Sequence, residues 1–65
     1  ANGNGQAKTH LELWQRKAIK AVKEGKDALV EFESDAIPDS VQASITASLV
    51  NAQTVDDVKL IFAKV

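Results

Sequence analysis

Apolar side chains recur at helical spacing in three stretches of this chain and at strand spacing in one. Leu11, Trp14, Ala18, Ile19, Ala21 and Val22 fall on one side of a helical wheel, with Arg16, Lys17, Lys20 and Lys23 on the other, which predicts an amphipathic helix with a basic outer face. Val41, Ile45, Leu49 and Ala52 are spaced four, four and three apart and make a single stripe. Val55, Val58, Phe62 and Val65 define the apolar face of a short third helix. Leu13 and Leu60 fall outside these stripes and are candidates for exposed contacts. Between the first two stretches, KDALVEFESDAIPDS alternates apolar and acidic residues through Val30, Glu31, Phe32 and Glu33, the period of an extended segment with one face buried.

The boundaries follow from capping chemistry. Thr9-His10-Leu11-Glu12 has the form of a capping box, so the first helix is expected to start near His10, and Gly25 supplies the left-handed residue that commonly ends a helix. Pro38 stands where proline suits a helix start, with Asp39 adding a favourable charge and either Ile37 or Asp35 near the cap. Ser44, Thr46 and Ser48 weaken the second helix intrinsically, so it should depend on tertiary contacts. Thr54-Val55-Asp56-Asp57 gives a second capping signal. The expected spans are roughly 10 to 24, 39 to 51 and 55 to 64. The fold expected is all-α: a compact three-helix domain over residues 9 to 65 with an extended segment between helices 1 and 2. Residues 1 to 8, Gly/Asn-rich at their start, read as a flexible linker from a longer protein.

A lone extended segment has no strand partner in so short a chain. If residues 28 to 37 cross the bundle, Val30, Phe32 and Ile37 plug gaps in the core while Glu31, Glu33 and Asp35 face solvent. The competing reading is a strand that adds to a sheet edge of another protein. The core then comprises Leu11, Trp14, Ala18, Val22, Val30, Phe32, Ile37, Val41, Ile45, Leu49, Val55, Val58 and Phe62, with Trp14 and Phe32 carrying the most weight.

Composition narrows the class. At 65 residues the chain is one domain at most, in the range where a single core is only marginally sufficient. It has no cysteine, so neither a disulfide nor a thiolate metal site supports the fold. No apolar run approaches the roughly 18 residues that span a bilayer, and the opening residues are polar, so no membrane role and no signal peptide are expected.

The net charge of −1 conceals a division. Residues 1 to 26 carry six cations against two carboxylates, and residues 27 to 65 carry two against seven. Either the two halves attract one another or one faces a partner of opposite charge. Arg16, Lys17, Lys20 and Lys23 are the candidate contacts for nucleic-acid phosphates, although no aromatic residue interleaves with them. Glu31, Glu33 and Asp35 are a candidate acidic contact edge. With Asp27 they lack the glycine that a calcium loop needs at its sharp turn, so no metal and no cofactor are expected. His10, the single histidine, reads as a solvated side chain at a helix start, and Ser34, Ser40, Ser44 and Ser48 lack a nucleophile-elbow context. No enzymatic activity is expected.

Trp14, Lys17-Ala18, Lys20, Lys23 and Gly25, followed by Phe32-Glu33-Ser34-Asp35-Ala36-Ile37-Pro38 and then Ala52-Gln53-Thr54-Val55-Asp56-Asp57-Val58 with Phe62, resemble a small module near the C-terminal end of tailed-phage and prophage head proteins, notably portals. The similarity covers about residues 11 to 63 and consists of structural residues. It implies a non-enzymatic component of virion assembly, appended to a ring-forming body that this chain is too short to contain. It further implies a protein partner within a phage head or assembly complex, a virion or host-cytoplasm location, and an isolated domain that is monomeric. The alternative is a nucleic-acid-binding helical domain using the basic face of helix 1.

Overall fold

A computed structural model describes residues 3 to 65, with side chains from residue 6 onward. It contains three helices, α1 (Gly3–Lys23), α2 (Asp39–Leu49) and α3 (Val55–Ala63), and no strand among the described residues. The all-α expectation holds. Helix α1 runs 21 residues, about 31 Å at the usual rise, which accounts for most of the 38 Å long axis of the domain.

The start of α1 differs from the sequence expectation. Thr9 lies inside the helix, so Thr9-His10-Leu11-Glu12 does not act as a capping box there. A cap requires non-helical backbone at its first residue, whereas Gln6, Ala7 and Lys8 are good helix formers that carry the helix through. Residues 3 to 8 of the expected linker are therefore helical, and residues 1 and 2 lie outside the described residues.

The C-terminus of α1 follows its expected chemistry. Gly25 adopts φ 78°. Its amide donates to the Val22 carbonyl at 3.0 Å, and the Lys26 amide donates to the Ala21 carbonyl at 2.8 Å. This is the Schellman pattern, and it turns the chain sharply off the helix axis.

Helix α2 begins after Pro38, whose φ of −56° and ψ of 143° place it at the N-cap without a side-chain cap. It ends at Leu49, two residues before the expected end, with the amides of Val50, Asn51 and Ala52 closing onto the last turn. Helix α3 begins with a complete capping box. The Asp57 amide donates to Thr54 Oγ1 at 3.1 Å, while Asp57 Oδ2 accepts from the Thr54 amide at 3.2 Å and the Gln53 amide at 3.1 Å.

Helix α3 packs against both α1 and α2, which do not approach each other at the backbone. Residues 28 to 37 occupy the remaining side; from 28 to 36 even-numbered residues turn inward and odd-numbered residues outward, and the turn before α2 ends the alternation by burying Ile37 as well. Ala28 and Ile37 are fully buried at its two ends, and Glu31, Glu33 and Asp35 are exposed, as the sequence pattern requires.

The buried cluster is Trp14, Ala18, Ala28, Ile37, Ile45, Leu49 and Val58. Leu11, Val22, Val30, Phe32, Val41 and Phe62 pack around it half-buried, so Phe32 is a lid on the core rather than part of its centre. Val65, placed by spacing on the apolar face of α3, is 53% exposed because the helix ends at Ala63. Leu13 and Leu60 are exposed, as their off-stripe positions predict.

Candidate functional site: an acidic extended edge beside Trp14

The site is built on Trp14. Its ring is 1% exposed, stacks on Phe32 at 5.5 Å between centroids and 15° between planes, and meets Phe62 edge-on at 5.7 Å. These pairs tie α1 to the extended segment and to α3. The indole Nε1–H is buried and has no acceptor among the described residues, an arrangement that costs free energy.

Trp14 lines an open groove of about 810 Å³ together with Val30, Phe32, Glu31 and Glu33 on one side and Gln42 and Thr46 of α2 on the other. That volume lies in the range of ligand-binding clefts. The groove exists because α1 and α2 stay apart, and a single extended chain is too thin to close the space.

Few backbone hydrogen bonds hold the segment. The Val30 amide donates to the Ala28 carbonyl at 2.9 Å, a one-residue turn at its start. The amides of Glu31, Phe32 and Glu33 have no acceptor among the described residues. Farther on, Gln42 Nε2 donates to the carbonyls of Ser34 and Ile37 at 2.7 and 2.8 Å, fastening the turn before α2.

Sequence reasoning missed the fastening at the other side. His10 is not a solvated residue at a helix start; it lies inside α1, half-buried, edge-on to Phe32, with Nδ1 hydrogen-bonded to Ser34 Oγ. Ser34 Oγ also accepts from the Ala36 amide at 3.1 Å. The Ser34 hydroxyl donates to His10 when the ring is neutral with its proton on Nε2, so the pair clasps the turn to α1. No periodicity joins residues 24 positions apart, and only the topology brings them together.

The four candidate basic residues are all exposed on α1, but they do not form one uniform patch. Arg16, Lys20 and Lys23 follow a four-and-three spacing along the outer face. Lys17 turns toward the segment, its Nζ 5.8 Å from the centre of the Phe32 ring. Among the described residues the ion pair formed is Lys26 with Glu24 at 3.5 Å, between two exposed side chains, a kind of pair worth little. The charge division seen in the sequence is therefore not neutralised by contact between the basic helix and the acidic edge. No group of three or more acidic, histidine or cysteine side chains is arranged to hold a metal among the described residues, and none of their helices is long and apolar enough to cross a membrane.

No protein-family model matches the chain, and no curated protein or solved structure matches it either. The likeness to phage head modules rests on the residues quoted above.

Proposed function

We propose that the domain is a non-enzymatic protein-interaction module, of the kind its resemblance to portal-type phage and prophage head proteins implies, acting in virion assembly, in the virion or host cytoplasm. Its docking surface is the extended edge at residues 29 to 35. The observation that carries this reading is the combination of unpaired backbone amides with three exposed carboxylates, Glu31, Glu33 and Asp35, on one surface segment. Unpaired extended backbone is a template for pairing with another chain, and folded proteins ordinarily cover it or blunt it. Here acidic residues discourage indiscriminate pairing while leaving the edge open to a basic partner.

A second reading, nucleic-acid binding, is favoured by one feature. Arg16, Lys20 and Lys23 share a face and form no ion pair among the described residues, which suits phosphate neutralisation. A photo-crosslinking residue placed in the full chain at Glu33 or at Lys20, in cells that produce it, tests both. Adducts from Glu33 to one recurrent protein, identified by mass spectrometry, support the interaction module. Adducts from Lys20 to nucleic acid with none from Glu33 would replace it.

A further inference from the structure

The groove and the unpaired edge lie together beside Trp14, and they narrow the chemistry of the occupant. We infer that the groove between residues 29 to 33 and α2 takes an extended, lysine- or arginine-bearing segment of a partner protein, which adds as a strand to the edge formed by the amides of Glu31 and Glu33. The inference rests on the interaction-module reading and specifies what that module recognises.

Three observations converge on it. In an extended chain, alternate amides project to the same edge, so Glu31 and Glu33 present their donors together, and neither amide has an acceptor among the described residues. The Phe32 side chain between them is turned inward onto Trp14, which sets the register and leaves the two carboxylates on the solvent side. Those carboxylates rim the groove and form no ion pair among the described residues, so cations at alternate positions of an added strand meet them directly. The third observation is Trp14 Nε1–H, a buried donor without an acceptor on a residue that lines the same groove. The wall formed by Gln42 and Thr46 offers polar side chains to the far side of the added chain. A nucleic-acid strand does not fit this site, because its phosphates would face Glu31 and Glu33.

The test uses the intact chain, isotope-labelled for NMR, and an acetylated, amidated hexapeptide alternating lysine with valine. The same peptide with glutamate in place of lysine is the control. The chain contains one tryptophan, so its indole Nε1–H gives a single resonance. Saturable shifts of that resonance and of residues 29 to 33, with hydrogen exchange slowed at the amides of Glu31 and Glu33 but not Phe32, are expected with the lysine peptide alone. The doubly substituted Glu31→Gln, Glu33→Gln chain changes only exposed side chains and should keep its helical spectrum. It should bind roughly three- to tenfold more weakly at low salt, and the difference should shrink as salt rises. Shifts confined to the outer face of α1, equal binding of the glutamate peptide, unchanged amide exchange, or no binding would each overturn the inference. If the photo-crosslinker at Glu33 still captures a recurrent protein while the lysine peptide fails, the interaction module survives and the strand-addition chemistry does not. Failure of both removes the module as well.

Discussion

Replacing Trp14 separates two consequences of the same side chain. Trp14→Ala removes the ring that stacks on Phe32 and meets Phe62, and truncating such a buried aromatic costs about 3 to 5 kcal/mol. At roughly 0.05 to 0.15 kcal/mol per residue, a chain of 65 residues has about 3 to 10 kcal/mol in total. Much or all of its stability should go, and the cooperative thermal transition followed by circular dichroism should broaden or vanish. Trp14→Phe keeps a ring and deletes the unpartnered donor. It leaves a void of roughly 40 Å³, worth about 1 kcal/mol, with a further ~1 kcal/mol of lost transfer energy. Against this stands the removal of a buried donor without an acceptor, which costs roughly 1 to 3 kcal/mol when left unmet. The two should nearly cancel, so the midpoint should move by less than about 8 °C. A Trp14→Ala chain that kept a sharp transition near the wild-type midpoint would refute the core assignment. A Trp14→Phe chain as unstable as Trp14→Ala would show that the indole nitrogen is not an unmet donor.

The remaining predictions concern termini and surface. Gly25→Ala should cost about 1 to 2 kcal/mol, because φ 78° disfavours any Cβ, and nothing within 4 Å adds a clash; equilibrium urea unfolding measures it, and an unchanged midpoint would contradict the Schellman terminus. Thr54→Ala should cost about 1 kcal/mol through the lost cap, read in the same way. Hydrogen bonds from the Gln53 and Thr54 amides hold the Asp57 carboxyl below its ordinary value of 3.8. Its contribution is therefore fully present above that value and is lost as pH falls through the lowered one. Asp57→Asn should flatten the acid limb of the stability profile below about pH 4, and an acid limb identical to wild type would exclude Asp57 as its source. Leu60→Ser, on an exposed side chain, should stay within about 0.5 kcal/mol of wild type; a larger loss in urea unfolding would place Leu60 in a contact.

Much of this fold is legible because its signals are local. The stripe in α2 and the box at Thr54 and Asp57 are set by residues three or four positions apart; the box appears as read, and so does the stripe from Val41 to Leu49, while Ala52 falls beyond the helix end. The alternation around Phe32 is equally local, and it gives the exposed Glu31 and Glu33 directly. The box at Thr9 misleads because the same residue types occur inside helices, and only the conformation of the preceding residues decides between cap and continuation. Burial at Ala28, and the clasp of His10 on Ser34, depend on where a turn delivers the chain. The depth of Phe32 is likewise a tertiary property: an inward position in a segment crossing the outside of a bundle reaches the core from above and remains half-exposed.

The extended segment answers a packing problem and creates an opportunity at once. A fourth helix would need about 10 Å of width and a longer chain, whereas an extended segment covers Trp14 with Phe32 and Ile37 at small cost in length. Such a segment cannot satisfy its own backbone, and α2 is too far from it to help except at Ser34 and Ile37. Its amides must therefore be left to water or to another chain. Because its inward positions are already committed to the core, only the outward ones are free to vary, and in this sequence those are Leu29, Glu31, Glu33 and Asp35. A segment required only to cover the core would tolerate any polar residue there. Three carboxylates, beside a helix whose cations they do not contact, put a like-signed charge on this stretch of unpaired backbone, and under the proposed strand addition that charge would favour a basic strand over an acidic one.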